Sequence, residues 1–329
     1  MGASLHSVCI CIVYFGVKPV WLDAYLKSCR ENKTIDWLFV TDLQLDTVPE
    51  NVHVKPMSFS QFKAHVHAAL GVHFPREATP YKICDYRPTF GVLFENELQK
   101  YDFWAFGDID VIYGNIRSFL SEDLMEAYDI VSTVKYYLAG PLTLLRNTES
   151  VRFLYREHAD HLRVFQCKDT EPFEERGFSM TVTRLAREGV VKVYREHLHA
   201  NSTSSQRFYS WYNTFVTEAD RKYSKRHSAQ GGWKHAEDVP CGPCVYDKGR
   251  IFHAASGREV MYFHIHRWKS MRKPMGIGQS DKWLIMEAGI ISYDTALVRR
   301  YWYGFVYHCR RVENRWWKRL SQYIKKYGR

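Results

Sequence analysis

Two aspartates separated by one apolar residue are the first candidates for chemistry. Asp108 and Asp110 follow the apolar run 103–106, and Gly107 lies between that run and the first aspartate. A buried strand should not carry bare carboxylates, because an unpaired buried charge is very costly. The aspartates therefore form a solvated turn at an exposed strand end, or they hold a hard divalent cation, which prefers oxygen ligands. Apolar residues on both sides of the triplet favour the cation.

A second pair of acids, Glu174 and Glu175, precedes a helix predicted over 179–188. Acids near the start of a helix usually stabilise it through the helix macrodipole. An acid that faces a substrate crevice instead holds an acceptor hydroxyl or acts as a general base. Both interpretations remain open from the residues alone.

Two histidines alternate with apolar residues in the segment MYFHIHRWK. His264 and His266 share one face if this segment is a strand, because side chains two residues apart on a strand point the same way. One of them could complete a metal shell begun by Asp110, with Arg267 and Lys269 near phosphate groups. The alternative is a pair of exposed strand histidines.

Lys82 and Asp85 are three residues apart in a helix predicted over 79–98 and share one face of it. The spacing alone favours a local surface ion pair, which contributes little to stability. The functional alternative is a cation and an acceptor that reach the phosphates and hydroxyls of a substrate.

The elements that must position these residues alternate between strand and helix. Strands are predicted over 8–15, 36–42, 52–57, 129–133, 138–147 and 190–194, and helices over 19–30, 58–70, 151–165 and 179–188. This order predicts an α/β fold with a mainly parallel sheet flanked by helices.

Ligands bind beyond the carboxyl ends of the strands in such sheets. The residues at the predicted carboxyl ends, which should face one crevice, are Tyr14, Phe15, Gly16, Thr41, Asp42, Asp108 and Asp110. Neither GxGxxG nor GxxxxGK[ST] occurs, so the sequence predicts neither a Rossmann dinucleotide site nor a P-loop.

Composition bounds the class of protein. The chain has 329 residues, of which 46% are hydrophobic, 25% charged and a high 16% aromatic, which suits a protein that grips flat ligands or touches a membrane surface. No apolar run approaches the roughly 20 residues of a membrane-spanning helix, and we expect no secretory signal. Eight cysteines lie mostly in apolar segments, which indicates reduced thiols of a cytosolic protein. Cys241 and Cys244 form a lone CxxC, for which free thiols are favoured over zinc.

The formal net charge of +10 is concentrated at the C-terminus. Residues 299–329 contain ten Lys or Arg and one acid, a net charge of +9 that leaves +1 for the rest of the chain. Apolar side chains recur there at helical spacing, at Val312, Trp316, Leu320, Tyr323 and Ile324. A basic amphipathic helix with tryptophans is typical of a helix that lies on an anionic membrane surface. The alternatives are a helix packed on the body and a nucleic-acid-binding tail, which the near-neutral body disfavours.

Several segments together resemble a known class of enzyme. The core FGDID followed by VIYG resembles the Asp-x-Asp motif of GT-A fold glycosyltransferases. More narrowly, the chain is similar to a poorly characterised bacterial family of polysaccharide-biosynthesis glycosyltransferases. The segments that carry the resemblance are YFG, IDWLFVTD, PYKICDYRPTFG, YDFWAFGDIDVIYG, AGPLTLLRN, FEERGFS and FHIHRWK. It covers residues 8–180 well, and Glu174-Glu175 stand where it predicts Asp-Glu.

The resemblance implies a metal-dependent transfer of a sugar from a nucleoside diphosphate sugar, with a UDP-sugar favoured, to a growing surface-polysaccharide or lipid-linked glycan acceptor. The implied ligands of Mn²⁺ or Mg²⁺ are Asp108, Asp110 and His264. The implied donor contacts are Tyr14, Phe15, Gly16, Asp42, Lys82, Asp108, Arg267 and Lys269. The implied catalytic residues are Glu174, Glu175 and Asp85.

We therefore expect a GT-A catalytic domain over 1–298, with an irregular insertion over 201–249, and a basic amphipathic C-terminal helix over 299–329. Such a protein would be cytoplasmic and peripheral on the inner face of the cell membrane, without a nucleic-acid partner. Two other classes remain open. One is a metal-dependent phosphoesterase or nucleotidyltransferase, and the other is a non-catalytic membrane-associated module that binds nucleotide sugar.

Overall fold

The structure is a computed structural model that describes residues 5–201, 243–254, 256–265, 281–286 and 289–292. The predicted C-terminal helix and almost all of the predicted insertion lie outside these residues. Within them, no helix is long and apolar enough to cross a membrane.

Fifteen strands occur in the described residues. They are β1 Val8–Tyr14, β2 Asp36–Thr41, β3 Val52–Pro56, β4 Phe103–Gly107, β5 Val111–Tyr113, β6 Ile130–Ser132, β7 Leu142–Arg146, β8 Val193–Arg195, β9 His199–Asn201, β10 Cys244–Asp247, β11 Arg250–His253, β12 Glu259–Val260, β13 Tyr262–His264, β14 Lys282–Met286 and β15 Gly289–Ser292.

The helices of the same part of the chain are mostly short. They are α1 Leu22–Arg30, α2 Phe59–Leu70, α3 Phe90–Leu93, α4 Glu95–Leu98, α5 Glu122–Ala127, α6 Glu149–Arg152, α7 His161–Gln166 and α8 Gly177–Arg187, with 3₁₀ helices at Pro80–Thr89, Ile116–Ser118 and Leu154–Glu157.

The central sheet has seven strands in the order β3-β2-β1-β4-β7-β6-β8. Strand β7 runs antiparallel to both of its neighbours, and the other pairings are parallel. The prediction of an α/β fold with a mixed, mainly parallel sheet flanked by helices is therefore confirmed. The carboxyl ends of β1, β2 and β4 lie side by side, as the predicted crevice requires.

Both faces of this sheet are buried. In β1, Val8, Ile10 and Ile12 pack in one apolar cluster, while Cys9 and Cys11 pack in another on the opposite face. Side chains alternate between the two faces of a strand, so the unbroken apolar run of β1 covers both. A strand buried on both faces fixes the position of its carboxyl end, where Tyr14 and Phe15 follow the run.

Two smaller sheets complete the fold. A three-stranded sheet has the order β5-β13-β9, and a five-stranded sheet has the order β12-β11-β10-β14-β15. Strand β13 is antiparallel to β5, with His264 opposite Val111. The apolar residues on either side of the Asp-x-Asp triplet therefore belong to different sheets, β4 in the first and β5 in the second. The three residues between them form the connection.

Two helices of the structure differ from their predictions, one in helix type and the other in length. The helix predicted over 79–98 begins as the 3₁₀ helix Pro80–Thr89, which contains Pro88, and a proline lacks the N–H that an α-helix interior needs. The helix predicted over 151–165 is divided into α6, a 3₁₀ turn and α7. His158 Nδ1 accepts a hydrogen bond from the Asp160 backbone N–H at 3.2 Å, which competes with helical pairing at that point.

Candidate functional site

A cavity of about 610 Å³ opens at the carboxyl ends of β1 and β4. It is walled by the ends of these strands, by the 3₁₀ helix Pro80–Thr89 and by the segment 170–175 before α8. Its wall contains polar and charged side chains together with some of the predicted donor contacts. They include Tyr14, Phe15, Arg87, Asp108, Asp110, Glu174, Glu175 and His264. Residues predicted from separate segments of the sequence therefore face one space.

Hydrogen bonds hold the Asp-x-Asp connection at its backbone. Trp21 Nε1 donates to the carbonyl oxygen of Ile109 at 2.9 Å, and the backbone N–H of Ile265 donates to the carbonyl oxygen of Asp110 at 2.8 Å. With the main chain held from both sides, the carboxylates of Asp108 and Asp110 remain directed at the cavity that they line.

Asp108, Asp110 and His264 converge in this cavity. His264 Nε2 lies 3.7 Å from Asp110 Oδ1 and 3.9 Å from Asp108 Oδ2. One ligand atom from each residue lies within 4.8 Å of the others, a separation that a single ion can span. Two carboxylates and an imidazole suit Mn²⁺, and their hard oxygens also suit Mg²⁺. The residues thus fit a divalent cation, while metal binding itself stays a prediction.

Arg87 lies at the centre of the acidic groups, and the sequence reasoning did not single it out. Its Nη1 donates to Glu174 Oε1 at 2.9 Å, and its Nη2 contacts Asp108 Oδ1. Burial opposes the charge, but Asp108 and Glu174 hold the pKa of Arg87 well above its usual value, so the guanidinium stays charged. The only sequence signal was its place in PYKICDYRPTFG, one of the segments of the resemblance.

Glu174 and Glu175 also line the cavity, in the turn that precedes α8. Glu174 is 2% exposed, and among the described residues its Oε2 has no hydrogen-bond partner. Glu175 Oε1 accepts a hydrogen bond from the Gly140 backbone N–H at 3.3 Å. Burial raises the pKa of both carboxyls, Glu174 the more strongly. The pair therefore faces the cavity instead of the first turn of the helix, and its catalytic role stays a prediction.

Gly140 allows these groups to meet. A Cβ atom there would lie 2.7 Å from Arg87 Nη1 and 3.1 Å from Glu175 Oε1. No side chain fits at such distances without moving a charged group, so the close approach of the 139–141 backbone requires glycine.

Lys82 and Asp85 form a buried ion pair, which corrects the surface pair favoured by their spacing. Both side chains are 0% exposed, and Lys82 Nζ lies 2.7 Å from Asp85 Oδ2. Lys82 Nζ also donates to the carbonyl oxygens of Val164 and Asp169 at 2.7 and 2.8 Å. The two residues do not line the cavity, so their predicted contacts with a donor or an acceptor remain without a structural counterpart.

The two oxygens of Asp85 have backbone partners as well. Its Oδ2 accepts from the Glu171 N–H at 2.9 Å and its Oδ1 from the Phe173 N–H at 3.1 Å. The ion pair thus joins the 3₁₀ helix to the segment that leads into Glu174. Spacing could not reveal this, because the partners are more than 80 residues away in the chain.

The predicted donor contacts at β1 and β2 lie together. Tyr14 and Phe15 line the cavity, and the backbone N–H of Gly16 donates to Asp42 Oδ1 at 3.1 Å. Gly16 has φ +126°, a conformation that L side chains rarely adopt. Donor binding by these four residues stays a prediction.

Besides the residues of the C-terminal tail, four residues named from the sequence are outside the described residues: Cys241, His266, Arg267 and Lys269. His199, which the sequence reasoning passed over, lies on β9 beside the strand of His264. Its Nδ1 donates to the Thr133 carbonyl oxygen at 3.1 Å, and its ring stacks on Tyr262. Burial, reinforced by the neighbouring His197 and His264, lowers the pKa of His199 to about 3, so this histidine is neutral at pH 7.

Comparison with known proteins gives one family match. A family model described as "Family of unknown function (DUF6625)" matches residues 10–294. No curated protein sequence matches the chain.

Among solved structures, the chain is similar to the galactosyltransferase LgtC in complex with donor and acceptor sugar analogs, at 10% identity and a TM-score of 0.41, over 78% of this chain and 86% of the other. An active-site mutant of LgtC is similar at 10% identity and a TM-score of 0.39, over 61% and 77%. Likeness at this level carries no argument about activity, which must come from the site.

Proposed function

The chain belongs to DUF6625, a family of unknown function, and we propose that it is a metal-dependent glycosyltransferase. It moves a sugar from a nucleoside diphosphate sugar, with a UDP-sugar favoured, to a surface-polysaccharide or lipid-linked glycan acceptor. The observation that carries this proposal is the convergence of Asp108, Asp110 and His264 in a cavity that also contains Glu174 and Glu175.

The cavity is suited to such a donor in its chemistry and its size. About 610 Å³ is within the range of pockets that enclose a ligand of nucleotide-sugar size. Tyr14 and Phe15 provide an aromatic wall at the end of β1, where a base can lie. The carboxylates and the imidazole lie at the end of β4, where a diphosphate can meet a cation.

Asp108, Asp110 and His264 would hold Mn²⁺ or Mg²⁺. When bound, such a cation offsets the charge that develops on the leaving diphosphate as the glycosidic bond breaks. Arg87 holds Asp108 from the opposite side and brings a second positive charge to the same region.

Glu174 and Glu175 take the acceptor side. A carboxylate there can bind an acceptor hydroxyl, and in an inverting transfer one of them accepts the proton of that hydroxyl. Burial raises the pKa of both groups above the usual value of a carboxyl, which is the direction that strengthens a general base. A retaining transfer needs no such base.

Calorimetry tests the proposal most directly. UDP, GDP and CDP are titrated into the protein with and without Mn²⁺, and the titrations are repeated with Asp110→Ala. We expect one nucleotide to bind only with metal and the variant to lose that binding. If no nucleotide binds with metal present, the donor site is assigned wrongly.

The product separates the transferase from the other metal-dependent class. A glycosyltransferase releases the nucleoside diphosphate from a nucleotide sugar, whereas a phosphoesterase or nucleotidyltransferase releases phosphate or pyrophosphate. Binding without release of either product would identify a non-catalytic module.

We also propose that the basic tail, 299–329, holds the enzyme at an anionic membrane, where lipid-linked acceptors are found. Co-sedimentation with anionic liposomes tests this. A chain that ends near Arg299 should stay in the supernatant, and its sedimentation with the liposomes would exclude the tail as the anchor.

A further inference from the structure

Tyr81 is an exposed aromatic residue at the opening of the cavity. Its relative exposure is 66%, and it is the single Phe, Trp or Tyr in the exposed class among the residues that the structure describes. Tyr81 also belongs to the wall of the cavity, whereas Glu174 in the same wall is 2% exposed. The cavity therefore deepens from an aromatic ring at its mouth to buried carboxylates inside.

The backbone that carries Tyr81 is firmly held. Pro80, which precedes Tyr81, begins the 3₁₀ helix. Lys82, which follows Tyr81, is anchored by hydrogen bonds to Asp85 and to the carbonyl oxygens of Val164 and Asp169. Tyr86 Oη donates to the Phe165 carbonyl oxygen at 2.6 Å from the same helix. A ring on a rigid support loses little conformational entropy when a ligand packs against it.

The same ion pair positions the facing part of the mouth. Asp85 accepts the backbone N–H groups of Glu171 and Phe173, and Pro172 between them lines the cavity. Tyr81 is therefore connected to the ion pair through Lys82, its neighbour in the chain. Pro172 is connected through Asp85, which bonds the residues on either side of it. The neighbours of both residues are thus held by the same buried ion pair.

We propose that Tyr81, with Pro80 and Pro172, forms the acceptor subsite of the cavity and takes a pyranose ring of a glycan by stacking. This inference rests on the proposed function and names the face of the site that its acceptor uses. The apolar C–H face of a pyranose packs on the aromatic ring, which excludes water from that face. The hydroxyls at the edge of the sugar then point to Glu174 and Glu175 deeper in the cavity.

The alternative is a surface aromatic residue that binds no ligand, and it is less consistent with the rest of the chain. Aromatic residues make up 16% of the sequence, yet the other described ones are buried or half-buried. Among the residues that the structure describes, the one exposed aromatic ring lies in the wall of the cavity.

A glycan array tests the subsite. The full chain with Mn²⁺ and UDP is applied to immobilised glycans that end in different pyranoses, and wild type is compared with Tyr81→Ala and Tyr81→Phe. We expect wild type and Tyr81→Phe to bind the same glycans. Tyr81→Ala should bind them about tenfold more weakly, because the lost stacking contact contributes on that scale. Val190→Ala, at an exposed apolar residue outside the cavity, is the matched control and should bind as wild type does.

Calorimetry of UDP with Mn²⁺ on the same variants separates this inference from the proposed function. Equal UDP affinity in Tyr81→Ala and wild type, together with the loss of glycan binding, supports the subsite. Three results would overturn the subsite but leave the donor site in place. Tyr81→Ala could bind glycans as well as wild type does, or it could lose affinity for UDP. The wild-type protein could also bind UDP but no glycan. Absence of UDP binding by wild type would overturn the proposed function instead.

Discussion

The guanidinium of Arg87 is in direct ion-pair contact with the carboxylate of Asp108 inside the cavity, where the Arg87 side chain is 12% exposed. Its other terminal nitrogen bonds Glu174, 87 residues away in the chain. One residue thereby connects a predicted metal ligand to a predicted acceptor-side carboxylate, and it offsets the charge of both.

Replacement of Arg87 should harm both stability and binding. Arg87→Met leaves the buried Glu174 and the half-buried Asp108 without their counter-charge, so we expect the free energy of unfolding to fall by about 3 kcal/mol. Metal-dependent UDP binding should fall at least tenfold, because Asp108 loses its support. Arg87→Lys keeps the charge but has one nitrogen for two partners, and it should be intermediate. Urea denaturation and calorimetry measure the two effects.

The control for Arg87 is Arg163→Met, since Arg163 pairs with Glu171 at the surface with a 57% exposed side chain. That variant should bind UDP as wild type does. An Arg87→Met protein that is as stable as wild type and binds UDP normally would show that the bridge has no role.

Gly140→Ala should disturb the site through contact alone. The added methyl would lie 2.7 Å from Arg87 Nη1 and must displace the guanidinium or the backbone. We expect metal-dependent UDP binding and turnover to fall at least tenfold. Gly189→Ala is the control: its glycine has φ +76° and open space, so the variant should lose stability from backbone strain but keep UDP binding. If Gly140→Ala retains full activity, the close approach has no functional role.

Lys82→Met should be far more destabilising than a lysine replacement at the surface. It leaves Asp85 buried without its counter-charge and removes the bonds to the Val164 and Asp169 carbonyls, so the free energy of unfolding should fall by about 3–5 kcal/mol. Lys18→Met removes an exposed ion pair in which Lys18 Nζ lies 3.6 Å from Asp23 Oδ1. This variant should change the free energy of unfolding by less than about 0.5 kcal/mol. Urea denaturation of both variants measures the difference, and equal losses would contradict the buried pair.

His199 should make the protein sensitive to acid. Its folded pKa of about 3 lies below the ordinary 6.5, so between these values the unfolded chain binds more protons than the folded one. The free energy of unfolding therefore falls as pH falls below 6.5, by about 1.4 kcal/mol per pH unit for this group, and the stability is fully present above 6.5.

His199→Phe tests this sign, because it keeps an aromatic ring against Tyr262 and removes the titration. The variant should be less stable than wild type at pH 7, since the Thr133 carbonyl loses one of its two donors, the other being the Leu198 backbone N–H. The difference in the free energy of unfolding between wild type and the variant should narrow, and then reverse, as the pH is lowered from 7 to 4 in urea denaturation experiments. The contributions of other titrating groups cancel when the two proteins are compared at the same pH. A difference in the free energy of unfolding that stays constant with pH would contradict a buried, neutral His199.

Several parts of the site followed from local sequence pattern. The apolar run of β1 and the abrupt change from apolar to acidic residues at 107–108 each mark a strand end, and residues at the ends of neighbouring parallel strands must lie close together. Tyr14, Phe15 and the two aspartates were therefore predictable as neighbours. The helix predicted over 79–98 was wrong in kind only over Pro80–Thr89, a 3₁₀ helix that contains Pro88, whereas α3 and α4 follow in its second half.

Other parts depended on contacts that no local pattern records. His264 reaches the aspartates only because β13 pairs with β5, and Lys82 and Asp85 are buried only because the segment 164–173 folds over them. By itself, the sequence determined the alternation of strands and helices and the acidic ends of the strands, because these depend on side-chain periodicity and on the cost of a buried charge. The tertiary structure decided which charges meet, with Arg87 between Asp108 and Glu174 and Tyr81 at the mouth above them, since those neighbours are set by how distant segments pack.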